Sequence, residues 1–336
     1  MSTSQPSKNH QAKPNHKPLH PRNLHKNGYD FTALITSYPP LKGYAKENSH
    51  GNISIDFAEP QAVKALNSAL LKHHYNINDW DIPPGALCPP IPGRVDYIHY
   101  IAELLGIELP TTDSVDLANS QSKVRLLDIG TGANGIYPLL ACKIYGWHCV
   151  GSDINSESID NVASIIAHNP KLKNCFELRT QSDKNHIFDG IIQSGEIFDV
   201  SVCNPPFHAS QEEALKGSQR KVDNLARNRS AKKSVNVTQN DNQQKSITNA
   251  STLNFGGQDA ELWCKGGERM FLKKLIKESQ AFATQCRWFT SLVSKIDNVK
   301  PAKKLIQKLG ATDIREIEMK QGNKITRVLA WTFIKG

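Results

Sequence analysis

Apolar positions recur along this chain with two periods, and the alternation between them predicts its architecture. Val63, Leu66, Ala69 and Leu70 fall at helical spacing and predict a helix over 62–74, followed by a second over 95–105. From Val124 onward, short β-branched runs take turns with helical stretches. Strands are expected at 124–129, 149–153, 175–180, 197–203 and 286–293, with helices at 136–145, 156–168, 268–283 and 302–309. Runs that are apolar on both faces fit parallel strands covered by helices on either side. The chain closes with strands at 313–318 and 326–334, joined by a connection short enough for an antiparallel hairpin. The fold class is therefore α/β, with a doubly wound sheet of seven strands.

Three stretches break the pattern. Residues 1–27 contain no acidic residue and hardly any apolar one, so they are expected to form a disordered basic tail. Residues 28–120 then read as a mainly helical accessory region that contains a proline-rich loop at 82–92 and ends in the polar linker 111–122. Residues 121–336 form the catalytic module, interrupted at about 216–250 by an insertion with almost no apolar content, in which Arg220, Lys221, Arg227, Arg229, Lys232 and Lys233 cluster. A loop of that length inside a compact domain is either functional or disordered, and its charge suits a polyanion.

Composition agrees with such a partner. Lys plus Arg number 41 against 32 Asp plus Glu, a net charge of +9, over 336 residues. The 7 cysteines are scattered, without metal-ligand spacing, and read as reduced residues of a cytoplasmic protein. No metal site is expected. No apolar run is long enough to span a bilayer, and no signal peptide is apparent.

The chemistry concentrates at two strand ends. Asp128-Ile129-Gly130-Thr131-Gly132-Ala133-Asn134-Gly135 is a strand end followed by a glycine-rich turn, where a nucleotide-like ligand can approach the backbone closely. Asp153 ends the next strand, where a carboxylate can take a ribose diol. The turn satisfies a dinucleotide pattern, so a nicotinamide cofactor stays open, although Asp128 just before it suits S-adenosylmethionine better. Arg94 follows Pro89-Pro90-Ile91-Pro92-Gly93, in a restrained loop that could present its guanidinium to a carboxylate or phosphate. At the second strand end, Asn204-Pro205-Pro206-Phe207 offers an amide oxygen, a fixed proline carbonyl and an aromatic face. Those groups suit a planar base that carries an exocyclic amine. A sheet of seven strands ending in a hairpin is moreover the layout of class I, Rossmann-like, S-adenosylmethionine-dependent methyltransferases.

From about Asn23 to the C-terminus the sequence resembles the methyltransferase-10 family. The likeness rests on Leu24-His25-Lys26-Asn27, on Ile91 to Tyr100, on Asp128 to Pro138, on the Asn204 tetrad and on Glu261-Leu262-Trp263-Cys264-Lys265-Gly266-Gly267-Glu268. It implies methyl transfer from S-adenosylmethionine to the N6 amine of an adenine in 23S rRNA, either free or in a large-subunit assembly intermediate. It also implies that Gly130, Gly132 and Asp153 line the cofactor site, with Arg94 near the methionine carboxylate and Ser182 near the cofactor adenine. Asn204 and the Pro205 carbonyl would accept the amine hydrogens, with Phe207 stacking on the base. The tetrad followed by His208 is also similar to that of rRNA guanine-N2 methyltransferases, and related tetrads serve protein glutamine. Those readings, and a non-catalytic RNA-binding protein built on the same sheet, remain alternatives at this point.

Overall fold

The computed structural model describes residues 19–48, 51–109, 124–206, 264–321 and 324–335. Helix α1 (Phe31–Ser37) and the small hairpin of β1 (Lys46–Glu47) and β2 (Ile53–Ser54) precede the long helices α2 (Pro60–Tyr75) and α3 (Ile91–Leu104). The sheet follows with β3 (Arg125–Ile129), α4 (Ile136–Tyr145), β4 (His148–Asp153), α5 (Ser156–Ala167), β5 (Phe176–Thr180) and β6 (Phe198–Cys203). It is completed by α6 (Gly267–Ser279), β7 (Cys286–Val293), α7 (Ile296–Lys308), β8 (Asp313–Gln321) and β9 (Lys324–Thr332).

The strands lie in the order β5-β4-β3-β6-β7-β9-β8, one sheet of seven. Pairings from β5 through to β7 are parallel, and β9 runs antiparallel to both of its neighbours. The chain winds outward from β3 to β5, then returns to place β6 on the other side of β3. The reversal leaves a crevice at the carboxyl ends of β3 and β6, where open α/β sheets bind ligands. β6 is central because it serves both cores: Val200 and Val202 pack among one set of helices, and Phe198 and Cys203 among the other.

One core joins α2, α3, α4 and α5 to a face of the sheet through Leu126, Val200, Val202 and Trp288. The other joins α6 and α7 to the opposite face through Leu127, Phe198, Phe289 and Trp331. The early helices thus share a core with the catalytic sheet. Trp80 donates to the Asn134 carbonyl at 3.0 Å and Lys143 to the Asn76 carbonyl at 2.9 Å, which adds polar ties across the same junction.

Four expectations need correction. Residues 19–27 do not belong to a tail: His20, Asn23 and His25 are buried, and Leu24–Asn27 is a 3-10 turn. Their burial rests on polar contacts rather than apolar mass. His20 N donates to Asp96 Oδ1 at 3.1 Å, Asn23 Nδ2 to the Pro92 carbonyl at 2.9 Å, and His25 Nε2 meets Tyr75 Oη at 2.8 Å. Burial lowers the His25 pKa to about 4, so the ring stays neutral at physiological pH. Next, α3 begins at Ile91, so Arg94 sits inside a helix instead of a loop. Pro92 occupies the first turn, where its missing N–H costs nothing. Third, α7 begins at Ile296 and runs through Pro301. That proline forfeits one hydrogen bond near the helix start, and burial of Val299, Ala302 and Ile306 offsets the loss. The fourth correction concerns Ser182 and belongs to the site. The linker 111–122, the insertion 216–250, residues 1–18 and Phe207 lie outside the described residues.

Candidate active site

A cavity of about 770 Å³ opens at the carboxyl ends of β3, β4 and β6. Its floor is the glycine-rich turn. Gly130 and Thr131 both donate backbone N–H to the Ser152 carbonyl at 2.9 Å, which ties the turn to the end of β4. Gly130 has φ +73, and a Cβ there would meet no atom within 4 Å, so that the open side of the turn is free for a ligand. Gly135 is a different case. It has φ +56, and a Cβ would lie 2.8 Å from Val162 Cγ1, so this glycine serves the packing of α5 against the turn.

Asp153 receives Gly132 N and Asn155 N, each at 2.9 Å. Burial raises its pKa, and those backbone donors oppose the rise. Asp128 lies deeper, 1% exposed, and neither of its carboxylate oxygens has a hydrogen-bond partner among the described residues. Its pKa is lifted to about 7 by burial; the neighbouring Asp153 adds to the rise, while the Thr131 hydroxyl and the Arg94 guanidinium oppose it.

Arg94 reaches the same space from α3. Its Nη1 donates to Tyr137 Oη at 2.5 Å and its guanidinium carbon stands 5.4 Å from the centre of that ring. Its buried Nε has no partner among the described residues. A guanidinium held at one nitrogen and free at another is a ready anion receptor. Across the cavity, β6 delivers Asn204, whose Oδ1 is buried and likewise without a partner. Buried polar atoms left unpaired are rare and costly, and here they converge on one space.

Of the residues expected at the site, Arg94, Gly130, Gly132, Asp153, Asn204 and Pro206 line the cavity together. Asp128 lies just behind it in β3, and Pro205 is buried in the strand-end turn. Ser182 does not line the cavity, and its side chain is exposed. Its neighbour Gln181 lines the cavity instead, both residues lying beyond the end of β5 at Thr180. Gln181 is buried, donates to the Asp189 carbonyl at 2.7 Å and accepts Asp183 N at 2.9 Å, which folds the 181–189 turn against the cavity. Glu278 of α6 secures the far end of that turn, accepting the N–H groups of Ile187, Phe188 and Asp189.

Residues that sequence reasoning did not single out also contribute. Tyr137, Asn185, Ile187, Met270, Phe271 and Lys274 line the wall. Met270 is 48% exposed, which marks it as part of the mouth. A signal for Tyr137 was available in its position in the first turn of the helix that follows the glycine turn. Among the described residues no group of His, Cys, Asp and Glu could hold a metal ion.

Comparison with known proteins places this geometry. A family described as RNA methyltransferase, the methyltransferase-10 family, matches residues 13–335. The ribosomal RNA large subunit methyltransferase F of Saccharophagus degradans is 60% identical over 329 residues, covering 97% of this chain and 98% of that protein. The protein of the same name from Shewanella pealeana is 55% identical over 323 residues, 95% of this chain and 84% of its own length. Among solved structures, the catalytic domain of human METTL16 in complex with the MAT2A 3′UTR hairpin 6 aligns with TM-score 0.73 and 27% identity, over 95% of this chain and 98% of that one. The N-terminal domain of human METTL16 in complex with SAH aligns with TM-score 0.69 and 26% identity, over 95% of this chain and 100% of that one.

Proposed function

Because the chain belongs to the methyltransferase-10 family of RNA methyltransferases, we propose that it methylates the exocyclic N6 amine of an adenosine in 23S rRNA. The fold is that of a class I methyltransferase, and S-adenosylmethionine is the methyl donor. The relatives' names supply the substrate class, large-subunit ribosomal RNA. The observation that supports an exocyclic amine as the target is the buried Oδ1 of Asn204, without a partner among the described residues, on a residue that lines the cavity together with Arg94, Gly130 and Asp153. The choice of adenine follows the family resemblance.

The residues present fit the cofactor. The open side of Gly130 accommodates a ligand against the backbone, Asp153 supplies a carboxylate for ribose hydroxyls, and the free Nε of Arg94 suits a carboxylate. Gln181 and Asn185 stand where polar edges of a base can be matched. S-adenosylmethionine brings a methyl group on a positively charged sulfur, already activated for displacement.

What remains for the protein is positioning and charge. Asn204 Oδ1 and the Pro205 carbonyl accept the two amine hydrogens, turning the nitrogen lone pair out of conjugation and toward the methyl group. Pro205 and Pro206 stiffen the turn that carries these acceptors. Phe207 stacks on the base in this reading, a contact worth about 1–3 kcal/mol in single-strand recognition. A base held in this way has left its helix, so the target is unpaired or flipped out. The substrate is 23S rRNA, free or in an assembly intermediate, and the protein works in the cytoplasm.

Guanine also presents an amine, and its N1 carries a proton where adenine's does not. Incubating the protein with labelled cofactor and unmodified 23S rRNA, then digesting to nucleosides, distinguishes the two. Label in N6-methyladenosine is the expected result, and label in N2-methylguanosine overturns the base assignment.

A further inference from the structure

Arg94 and Tyr97 stand one turn apart on α3, and both lean on Tyr137. Arg94 does so through its hydrogen bond to the hydroxyl, and Tyr97 through an edge contact at 5.2 Å between ring centres and 90°. Arg94 enters the cavity. Tyr97 does not, and is wholly buried behind it.

Registered pairing of β6 with β3 continues to Ile129↔Cys203, whereas pairing of β6 with β7 closes at Ser201↔Phe289. The two central strands part just before Asn204, and two hydroxyls bridge them there. Cys203 N donates to Tyr97 Oη at 3.4 Å, Tyr97 Oη lies 2.7 Å from Thr290 Oγ1, and Thr290 Oγ1 donates to the Ser201 carbonyl at 2.8 Å. The proton order follows from these partners. The Thr290 proton is committed to the carbonyl, so Tyr97 donates to Thr290 and keeps its oxygen lone pair for Cys203. Burial holds the Tyr97 phenol well above its ordinary pKa, which keeps it protonated for this role.

We infer that Tyr97 is a positioning residue for methyl transfer: through Thr290 it clamps the backbone of Ser201 and Cys203 and so fixes the direction of Asn204 Oδ1. The inference rests on the proposed role of Asn204. It has a structural reason. Pro205 and Pro206 have no N–H, so neither can tie down the chain beyond Asn204 through a backbone donor. Anchorage before Asn204 carries correspondingly more of the task, and the Tyr97–Thr290 bridge provides it from two other elements. A displacement of about 1 Å at the reacting group is enough to cost on the order of a hundredfold in rate.

The test compares Tyr97→Phe, Thr290→Val and Thr290→Ser by kcat on 23S rRNA, cofactor Kd by calorimetry, and thermal unfolding. Tyr97→Phe and Thr290→Val should each lower kcat by about ten- to a hundredfold while cofactor Kd stays within about twofold. Thr290→Ser keeps the hydroxyl and should restore wild-type kcat. Unchanged kcat in folded Tyr97→Phe overturns the inference, as does a Thr290→Ser variant as impaired as Thr290→Val. Should Tyr97→Phe fail to fold, Thr290→Val carries the test, and failure of both to fold marks the bridge as structural only. Full activity in Asn204→Ala would instead refute the role of Asn204 itself, which separates the two failures.

Discussion

Asn298 Nδ2 donates to Glu268 Oε2 at 2.6 Å, joining the first turn of α7 to the first turn of α6. The same carboxylate accepts Ser294 N and Ser294 Oγ, each at 2.6 Å, and Lys295 N at 3.1 Å. Helix α7 has no capping bond from its own N-cap side chain, so Glu268 serves as the cap from another helix. Its own helix, α6, carries Met270, Phe271 and Lys274 to the cavity mouth.

Glu268→Ala should therefore lower unfolding free energy by about 2–4 kcal/mol, because charge-assisted bonds are lost and buried donors are stranded. Urea denaturation measures it. A loss below about 0.5 kcal/mol, the range of ordinary surface substitutions, would show that the carboxylate is dispensable.

Asn204→Ala and Asp153→Ala should separate the two halves of the site. The first should remove methyl transfer and leave cofactor affinity within a few-fold if, as proposed, Asn204 addresses the target amine. The second weakens cofactor binding through loss of a charge-assisted hydrogen bond. Calorimetry beside a methyl-transfer assay reads both, and equal loss of cofactor affinity in the two variants contradicts the assignment.

Gly130 and Gly135 both have positive φ, yet their alanine variants should fail differently. Gly135→Ala meets Val162 and should destabilise the fold by about 1–3 kcal/mol. Gly130→Ala meets open space, so its stability cost should be the smaller one, about 1–2 kcal/mol from the left-handed backbone alone. Its main effect should be weaker cofactor binding. Thermal unfolding and calorimetry on both variants decide whether the open side of Gly130 belongs to the ligand.

Asp128 gives a pH signature in the cofactor-free protein. Its pKa is raised from 3.8 to about 7 on folding, so the folded chain retains a proton that the unfolded chain has released across that interval. Its contribution to stability is full below the unfolded value and is lost as pH rises through about 7. Asp128→Asn should gain on wild type between pH 5 and 8, by a few kcal/mol at the alkaline end. A gap that does not change with pH in thermal unfolding would show that burial does not govern this carboxyl.

The basic stretch at 216–250 makes a prediction from sequence alone. If Arg220, Lys221, Arg227 and Arg229 contact phosphates, deleting 216–250 raises KM for RNA and flattens its salt dependence, because fewer counterions are released on binding. KM measured across a salt series tests this, and an unchanged slope argues that the insertion is inert.

The sheet was legible because buried parallel strands are short β-branched runs, and β6 and β7 show that character plainly. Asp153, Asn204 and the glycine turn were legible because they end such runs. The helix over 95–105 was legible, but its start at Ile91, and with it Arg94's place inside the helix, was not, since a proline-rich approach looks like a loop until Pro92 is seen in a first turn. His20 and Asn23 were hidden because polar contacts with Asp96 and Pro92 bury them, and apolar periodicity cannot register such a bond. Gln181 was missed by one residue, because beyond the end of β5 at Thr180 no periodicity tells which side chain turns to the cavity. Tyr97 and Thr290 meet only in three dimensions, so no local pattern could pair them.

That last meeting spans 193 residues of sequence. On the ribosome, Tyr97 emerges early and Thr290 late, with an interval of about 10–40 s at 5–20 residues per second. Through that interval α3 has exposed the surface meant for the sheet, with no completed sheet to receive it. The strand end that carries Asn204 therefore cannot gain this bridge before Thr290 has been made. An unfinished chain can own a glycine turn and an Asn-Pro-Pro corner without yet holding them in register, and the corner gains its bridge only after Thr290 has emerged to meet Tyr97.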